Sequence, residues 1–141
     1  MAKKSVLYNL YADLLNAMKT VVDSKYVFLK DRPNVKNGDT PMSRFAVIDL
    51  PVSIDDYVIG NKKAYLTTSG VFYLFTQARN NGTLDVNAAG DFTDDVVSLF
   101  PINGDYCSAA SPVVQMRGND GLGFQVVTIT FDLQTKWRAF E

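Results

Sequence analysis

The chain has 141 residues, 47% of them hydrophobic, which suits a single domain over 1–141, since a domain of about this length buries roughly two thirds of its unfolded surface. Fourteen Lys and Arg against fifteen Asp and Glu leave a net charge of -1, too small for a whole-molecule field that draws the protein to nucleic acid or anionic membrane. With no histidine and one cysteine, Ser-His and Cys-His nucleophile pairs, most zinc sites and any intrachain disulfide are excluded.

The start, Met1-Ala2-Lys3-Lys4-Ser5, carries two positive charges, but Asn9 and Asp13 interrupt the apolar run behind them, so no export signal is expected. No stretch has the 18 or so apolar residues of a membrane-spanning helix, and a soluble protein made in the cytoplasm is expected. Ser5 suits an N-cap for an amphipathic helix, in which Leu7, Leu10, Leu14, Met18 and Val21 form the apolar stripe. Asn9, Asp13, Asn16 and Thr20 fall on the opposite, polar side. Tyr26 to Leu29 reads as a short strand, and Asp31 to Pro41, with its prolines, glycine and small polar residues, as a long loop that reaches for something.

Phe45 to Leu50 is the next strand, and Asp56–Ile59 and Lys63–Thr68 pair through Gly60-Asn61-Lys62. Ser69-Gly70 suggests a bulge or bend ahead of Val71–Phe75, the most hydrophobic strand. Asn81-Gly82-Thr83 reads as a turn. Asp85 to Leu99 supports a second helix through Val86, Ala89, Phe92, Val96 and Leu99, ended by Pro101. A hairpin closes the order, with Val113–Arg117 and Phe124–Leu133 joined by Gly118-Asn119-Asp120-Gly121. Cys107, which has no partner in the chain, reads as a small half-buried hydrophobe. The predicted fold is α+β: a mainly antiparallel sheet with an N-terminal helix and a second helix packed on one face, and a closing β-hairpin.

The strand faces carry the best clue to function. Along Phe124–Leu133, Val127, Ile129, Phe131 and Leu133 point one way and Thr128, Thr130 and Asp132 the other. In the strand from Val71, both sides are apolar: Val71, Tyr73 and Phe75 oppose Phe72, Leu74 and Ala78. Phe45 and Val47 likewise oppose Ala46, Ile48 and Leu50. Two helices cover one such face; the other is closed either by sheet curvature and the long loop or by another subunit.

Chemistry is sparse. Of the fifteen acids, fourteen are Asp, and Glu141 is the sole glutamate. Asp55 and Asp56 precede a strand, and Asp91, Asp94 and Asp95 lie on the second helix, where Asp91 and Asp95 share a face. The loop spacing and bidentate Glu of a calcium loop are missing, so a solvated acidic face is expected, without metal, cofactor or catalytic residue. The enzyme reading is an acid-dependent, metal-assisted phosphodiesterase that uses Asp residues alone. The glycine-rich run 118–123 leads into a strand instead of a helix N-terminus and is a turn, not a phosphate loop. Lys30, Arg32, Lys36 and Arg44 cluster around the long loop, with Lys62 and Lys63 in a turn, but Asp31 and Asp39 dilute their charge, and solubilised loops are expected. Trp137 and Phe140 near the end suggest docking, onto the chain's own core or into a neighbour.

Taken together, the helix Leu7–Val22, the strand and loop Tyr26–Pro41, the apolar strand Gly70–Thr76, the helix ending Val97-Ser98-Leu99-Phe100-Pro101 and the closing hairpin resemble the small tail-terminator and tail-completion proteins of tailed bacteriophages. The resemblance is one of element order and covers nearly the whole chain. It implies a structural virion protein that forms a closed ring with copies of itself, commonly a hexamer. Such a ring caps the tail tube protein and joins it to head-completion or connector proteins; DNA meets it only by passing through the lumen. Localisation at the head–tail junction of the virion follows, with the host cytoplasm before assembly. Ring formation needs a heterologous interface, for which Val35, Lys36, Tyr73, Phe75, Trp137 and Phe140 are the candidates. The rival readings are another virion ring or tail component, and a monomeric module holding a small apolar ligand in a closed pocket lined by Phe45, Tyr73 and Phe75.

Overall fold

The computed structural model describes residues 6–36, 43–50, 55–60 and 63–135, and for 55–60 and 63–67 the course of the backbone alone. The elements are α1 (Val6–Met18), β1 (Val27–Leu29), β2 (Arg44–Asp49), β3 (Asp55–Gly60), β4 (Lys63–Gln77), α2 (Val86–Val97), β5 (Ile102–Asn103), β6 (Cys107–Asn119) and β7 (Phe124–Thr135). Between α1 and β1 a short 3-10 turn is capped by Asp23, whose carboxylate accepts from the Lys25 N–H. The strands form one sheet in the order β1-β2-β4-β7-β6-β5, with β3 also on β4. Every pairing is antiparallel except that of β1 with β2. This is the α+β architecture expected.

The long strand β4 organises the sheet. Residues 71–76 pair with β2 and residues 67–77 with β7 on the other edge. Thr67 lies opposite both Asp55 and Gln134, so β3 follows β2 down the same side of β4. Past that point, among the described residues, β3 and the start of β4 run on as a two-stranded arm.

The bend expected at Ser69-Gly70 is absent: Ser69 and Gly70 stay in register with Asp132 and Phe131. The Phe131 ring lies across Gly70, where a Cβ would come within 2.5 Å of two ring carbons. The glycine makes room for an aromatic rather than for a turn.

Both helices pack on one face. Leu10, Leu14 and Met18 of α1 and Ala89, Phe92 and Val96 of α2 meet Ala46, Ile48, Phe72, Leu74, Val127, Ile129 and Leu133 of the sheet. Phe72, Phe131 and Phe100 form an aromatic triangle at its centre, with centroids 4.6 to 5.9 Å apart. Asp85 caps α2, accepting from the Ala88 N–H at 3.1 Å. Gln125, buried on the helix side, accepts from the Asp85 N–H and donates to the Asp85 carbonyl and the Thr76 hydroxyl, tying the start of α2 to β4 and β7.

The polar side assigned to the first helix is half wrong. Asn9 and Asp13 are buried, while Leu7 and Tyr8 are exposed. Asp13 accepts from the N–H groups of Tyr106 and Cys107 at 2.7 and 2.9 Å, and Gly104 packs so closely on it that a side chain there would collide. A carboxylate bonded to two backbone donors can be buried, and it fixes α1 against the start of β6. Cys107 is wholly buried, deeper than expected.

The closing hairpin is longer than its sequence signal. β6 begins at Cys107 instead of Val113, is edged by β5 at Ala109 and Ser108, and shifts register between Ala110 and Val113 and again between Met116 and Gly118. Ser111 lies in the first shift at φ 60. In β7, Thr128 is buried as well, against the expected alternation.

Candidate functional site

The second face of the sheet has its own small core of Phe45, Val47, Phe75 and Phe124, with Tyr26, Phe28, Val35, Tyr73 and Val126 packed around it. Phe45 stacks on Phe75 at 4.5 Å and meets Phe124 edge-on at 5.0 Å. The long loop closes this part. Arg32 lies over all three rings at 5.3 to 5.7 Å, and its Nε and Nη2 donate to Asp120 Oδ2 at 3.1 and 2.7 Å. Asp120 is itself held in the β6–β7 turn, where Oδ1 accepts from the N–H groups of Leu122 and Phe124. Of the two covers foreseen for the second face, the loop supplies this one.

The cover is partial. Beside Arg32 an open groove of about 520 Å³ runs over Val71, Tyr73, Phe75, Val126, Thr128 and Thr130 toward Arg117. Among the candidate interface residues, Phe75 and Val35 are taken up by the chain's own second core, Tyr73 is half-buried and lines the groove, and Lys36 is exposed. Trp137 and Phe140 lie outside the described residues. The closed pocket of Phe45, Tyr73 and Phe75 does not form, because Phe45 and Phe75 fill the space with each other and Arg32 sits on top.

A surface the sequence reading missed lies at the other edge. Among the described residues, no strand pairs with the outer edge of β6 beyond Ala109. Val113, Val114 and Met116 on this edge are 59%, 43% and 54% exposed, and Val86 on the neighbouring helix is 60% exposed. Between α2 and β6 runs a mainly apolar cleft of about 130 Å³ lined by Val86, Ala89, Gly90, Val114, Met116 and Val127, with Thr93 and Asp94 of α2 also on its wall. The sequence signal was present in Val113-Val114-Gln115-Met116, but it was absorbed into a hairpin reading that supplied only one partner strand.

Some of the charged candidates have partners within the fold. Asp91, Asp94 and Asp95 are exposed on α2, and Asp95 meets Arg44 at 3.4 Å. Arg44 also donates to the Val21 carbonyl and covers the Phe92 ring at 4.6 Å. Lys30 pairs with Asp49 at 2.9 Å, and hydrogen bonding to that carboxylate raises its pKa above 10.5. Asp55, Asp56, Lys62 and Lys63 have no described side-chain surroundings. Among the described residues no group of three or more Cys, Asp or Glu converges as a metal site, and no helix is long and apolar enough to cross a membrane.

No family model and no curated protein matches the sequence. Among solved structures, the chain is similar to one that bears only a sequence identifier, at 11% identity and a TM-score of 0.57 over 93% of both chains. It is also similar, at 14% identity and a TM-score of 0.48 over 93% of this chain and 91% of the other, to a chain from the virion of a native gene transfer agent particle. The first likeness shows that this arrangement of helices and sheet exists in another protein with almost entirely different residues.

Proposed function

We propose that the protein is a non-catalytic structural component of a phage-like virion, and within it a ring subunit of the head–tail junction that caps the tail tube. The observation that carries assembly is the unfinished edge of β6. A long strand that presents unpaired backbone groups together with exposed Val113, Val114 and Met116, beside an apolar cleft, is a surface that a stable monomer has reason to blunt with charge or cover with a loop. Among the described residues it carries neither along Val113–Met116. The virion setting is supported by the element order shared with the tail-terminator and tail-completion proteins, and the part closed by Arg32 argues against the small-ligand alternative.

Light scattering and negative-stain imaging of the protein, alone and mixed with tail-tube and connector proteins of its source virion, test the reading. The expected result is a closed ring, either spontaneous or formed on the partner. Monomer under every one of these conditions refutes it.

A further inference from the structure

We infer that the outer edge of β6, from Val113 to Arg117, is completed by the β3–β4 arm of a second copy of this chain. The inference rests on the assembly reading above and names the contact that would make it.

Three observations select the occupant. An open strand edge offers alternating N–H and C=O groups to one side, and the partner that satisfies such a row is another extended backbone about 4.8 Å away. Within this chain β3 is such a backbone: it pairs with β4 and, among the described residues, with no other strand. Among the described residues nothing lies beside this arm, and two strands alone are marginal in water, so the arm gains from cover as the edge of β6 does.

The second observation is placement. In the order β1-β2-β4-β7-β6-β5, the arm lies on the β2 side of β4, whereas the open edge belongs to β6, beyond β7. The two features are therefore on opposite sides of one sheet and cannot meet within a chain. A contact that joins two different surfaces of identical copies is heterologous and propagates from subunit to subunit, closing into a ring when its rotation closes.

The third is chemistry. In sequence the arm is apolar at Tyr57, Val58 and Ile59 in β3 and at Ala64, Tyr65 and Leu66 in β4, and the cleft beside Val86, Val114 and Met116 is apolar as well. Its strand opens with Asp55-Asp56, while β6 ends its open stretch with Arg117, which is exposed, donates to Gln115 and Thr128, and has no acidic partner among the described residues. Added to the edge of β6, an acidic strand end supplies that charge.

Two experiments on the full chain test this. In the double variant Met116→Cys with Tyr57→Cys, positions that lie opposite each other when Asp56 meets Arg117, mild oxidation should produce a ladder of covalent dimers, trimers and higher species, and each single variant should not. The exposed substitution Met116→Lys should weaken self-association about tenfold or more while leaving the monomer's melting temperature within a few degrees. If rings form but the ladder is absent and Met116→Lys associates as tightly as the parent, this contact is wrong and the ring reading stands. If the parent chain never associates, alone or with virion partners, the ring reading itself is overturned.

Discussion

Replacing Arg32 should loosen the long loop from the second face and cost the protein a measurable part of its stability. Its guanidinium shares one carboxylate oxygen of Asp120 through two N–H groups, and the two side chains are only 22% and 10% exposed. Breaking a fully buried pair by removing one partner costs about 3–5 kcal/mol. Here Asp120 keeps its bonds from Leu122 and Phe124, which lowers that part to about 2 kcal/mol. Loss of the cation and its stem from above Phe45, Phe75 and Phe124 adds about 1 kcal/mol. Arg32→Ala should therefore lose about 3 kcal/mol in urea denaturation, or about 10 °C in melting temperature. Arg32→Met, which keeps the stem, should lose about 2 kcal/mol, and combining it with Asp120→Asn should cost at least about 1 kcal/mol less than the sum of the two. Additive single variants, or an Arg32→Ala loss under about 0.5 kcal/mol, would refute the view that this pair latches the loop.

Gly70→Val should destabilise by about 1–3 kcal/mol, since its Cβ would invade the Phe131 ring, and a second change, Phe131→Leu, should recover part of that loss in thermal melts. Asp13→Ala should cost about 2–3 kcal/mol because it strands the Tyr106 and Cys107 donors in the interior; a change within about 0.5 kcal/mol would show that water replaces the carboxylate. Cys107, wholly buried, should react with a thiol reagent only as fast as the protein unfolds, and rapid labelling of the native state would contradict its placement. Lys30 has a pKa raised by its hydrogen bond to Asp49, so the stability it contributes is fully present below 10.5 and is lost as the pH climbs through the raised value. The margin of the parent over Lys30→Met should thus be flat through neutral pH and fall only in strong alkali; a margin that shrinks between about pH 6 and 8 speaks against the pair.

The elements that repeat a period were legible in the sequence, because burial on one face writes itself into spacing. Leu10, Leu14 and Met18 and the alternation Val127, Ile129, Phe131, Leu133 are of this kind. What escaped depends on partners far away along the chain. Asp13 looks solvated until the backbone of Tyr106 and Cys107 arrives beside it, and Arg32 looks like one of a loose group of basic residues until the β6–β7 turn brings Asp120 under it. Gly70 reads as a break because a missing side chain has the same letter whether it frees the backbone or admits a ring. The first half of β6, Cys107-Ser108-Ala109-Ala110-Ser111-Pro112, has small residues and a proline where a strand signal would need branched or aromatic ones. Of the candidate interface positions, the doubly apolar strand points to the second face, much of which the chain covers itself, while the open edge comes into view only because β6 has, among the described residues, one neighbour along Val113–Asn119.

The course of β4 also decides how the molecule would carry a mechanical load. Thr67 is held from both sides, by Asp55 on one edge and Gln134 on the other, and beyond it the same strand continues into the sheet between β2 and β7. A pull on the arm along its length therefore runs into a strand whose hydrogen bonds lie across the direction of force, on both of its edges at once. Those bonds resist in parallel and must slide together, instead of opening one after another as they would if the arm hung from a loop.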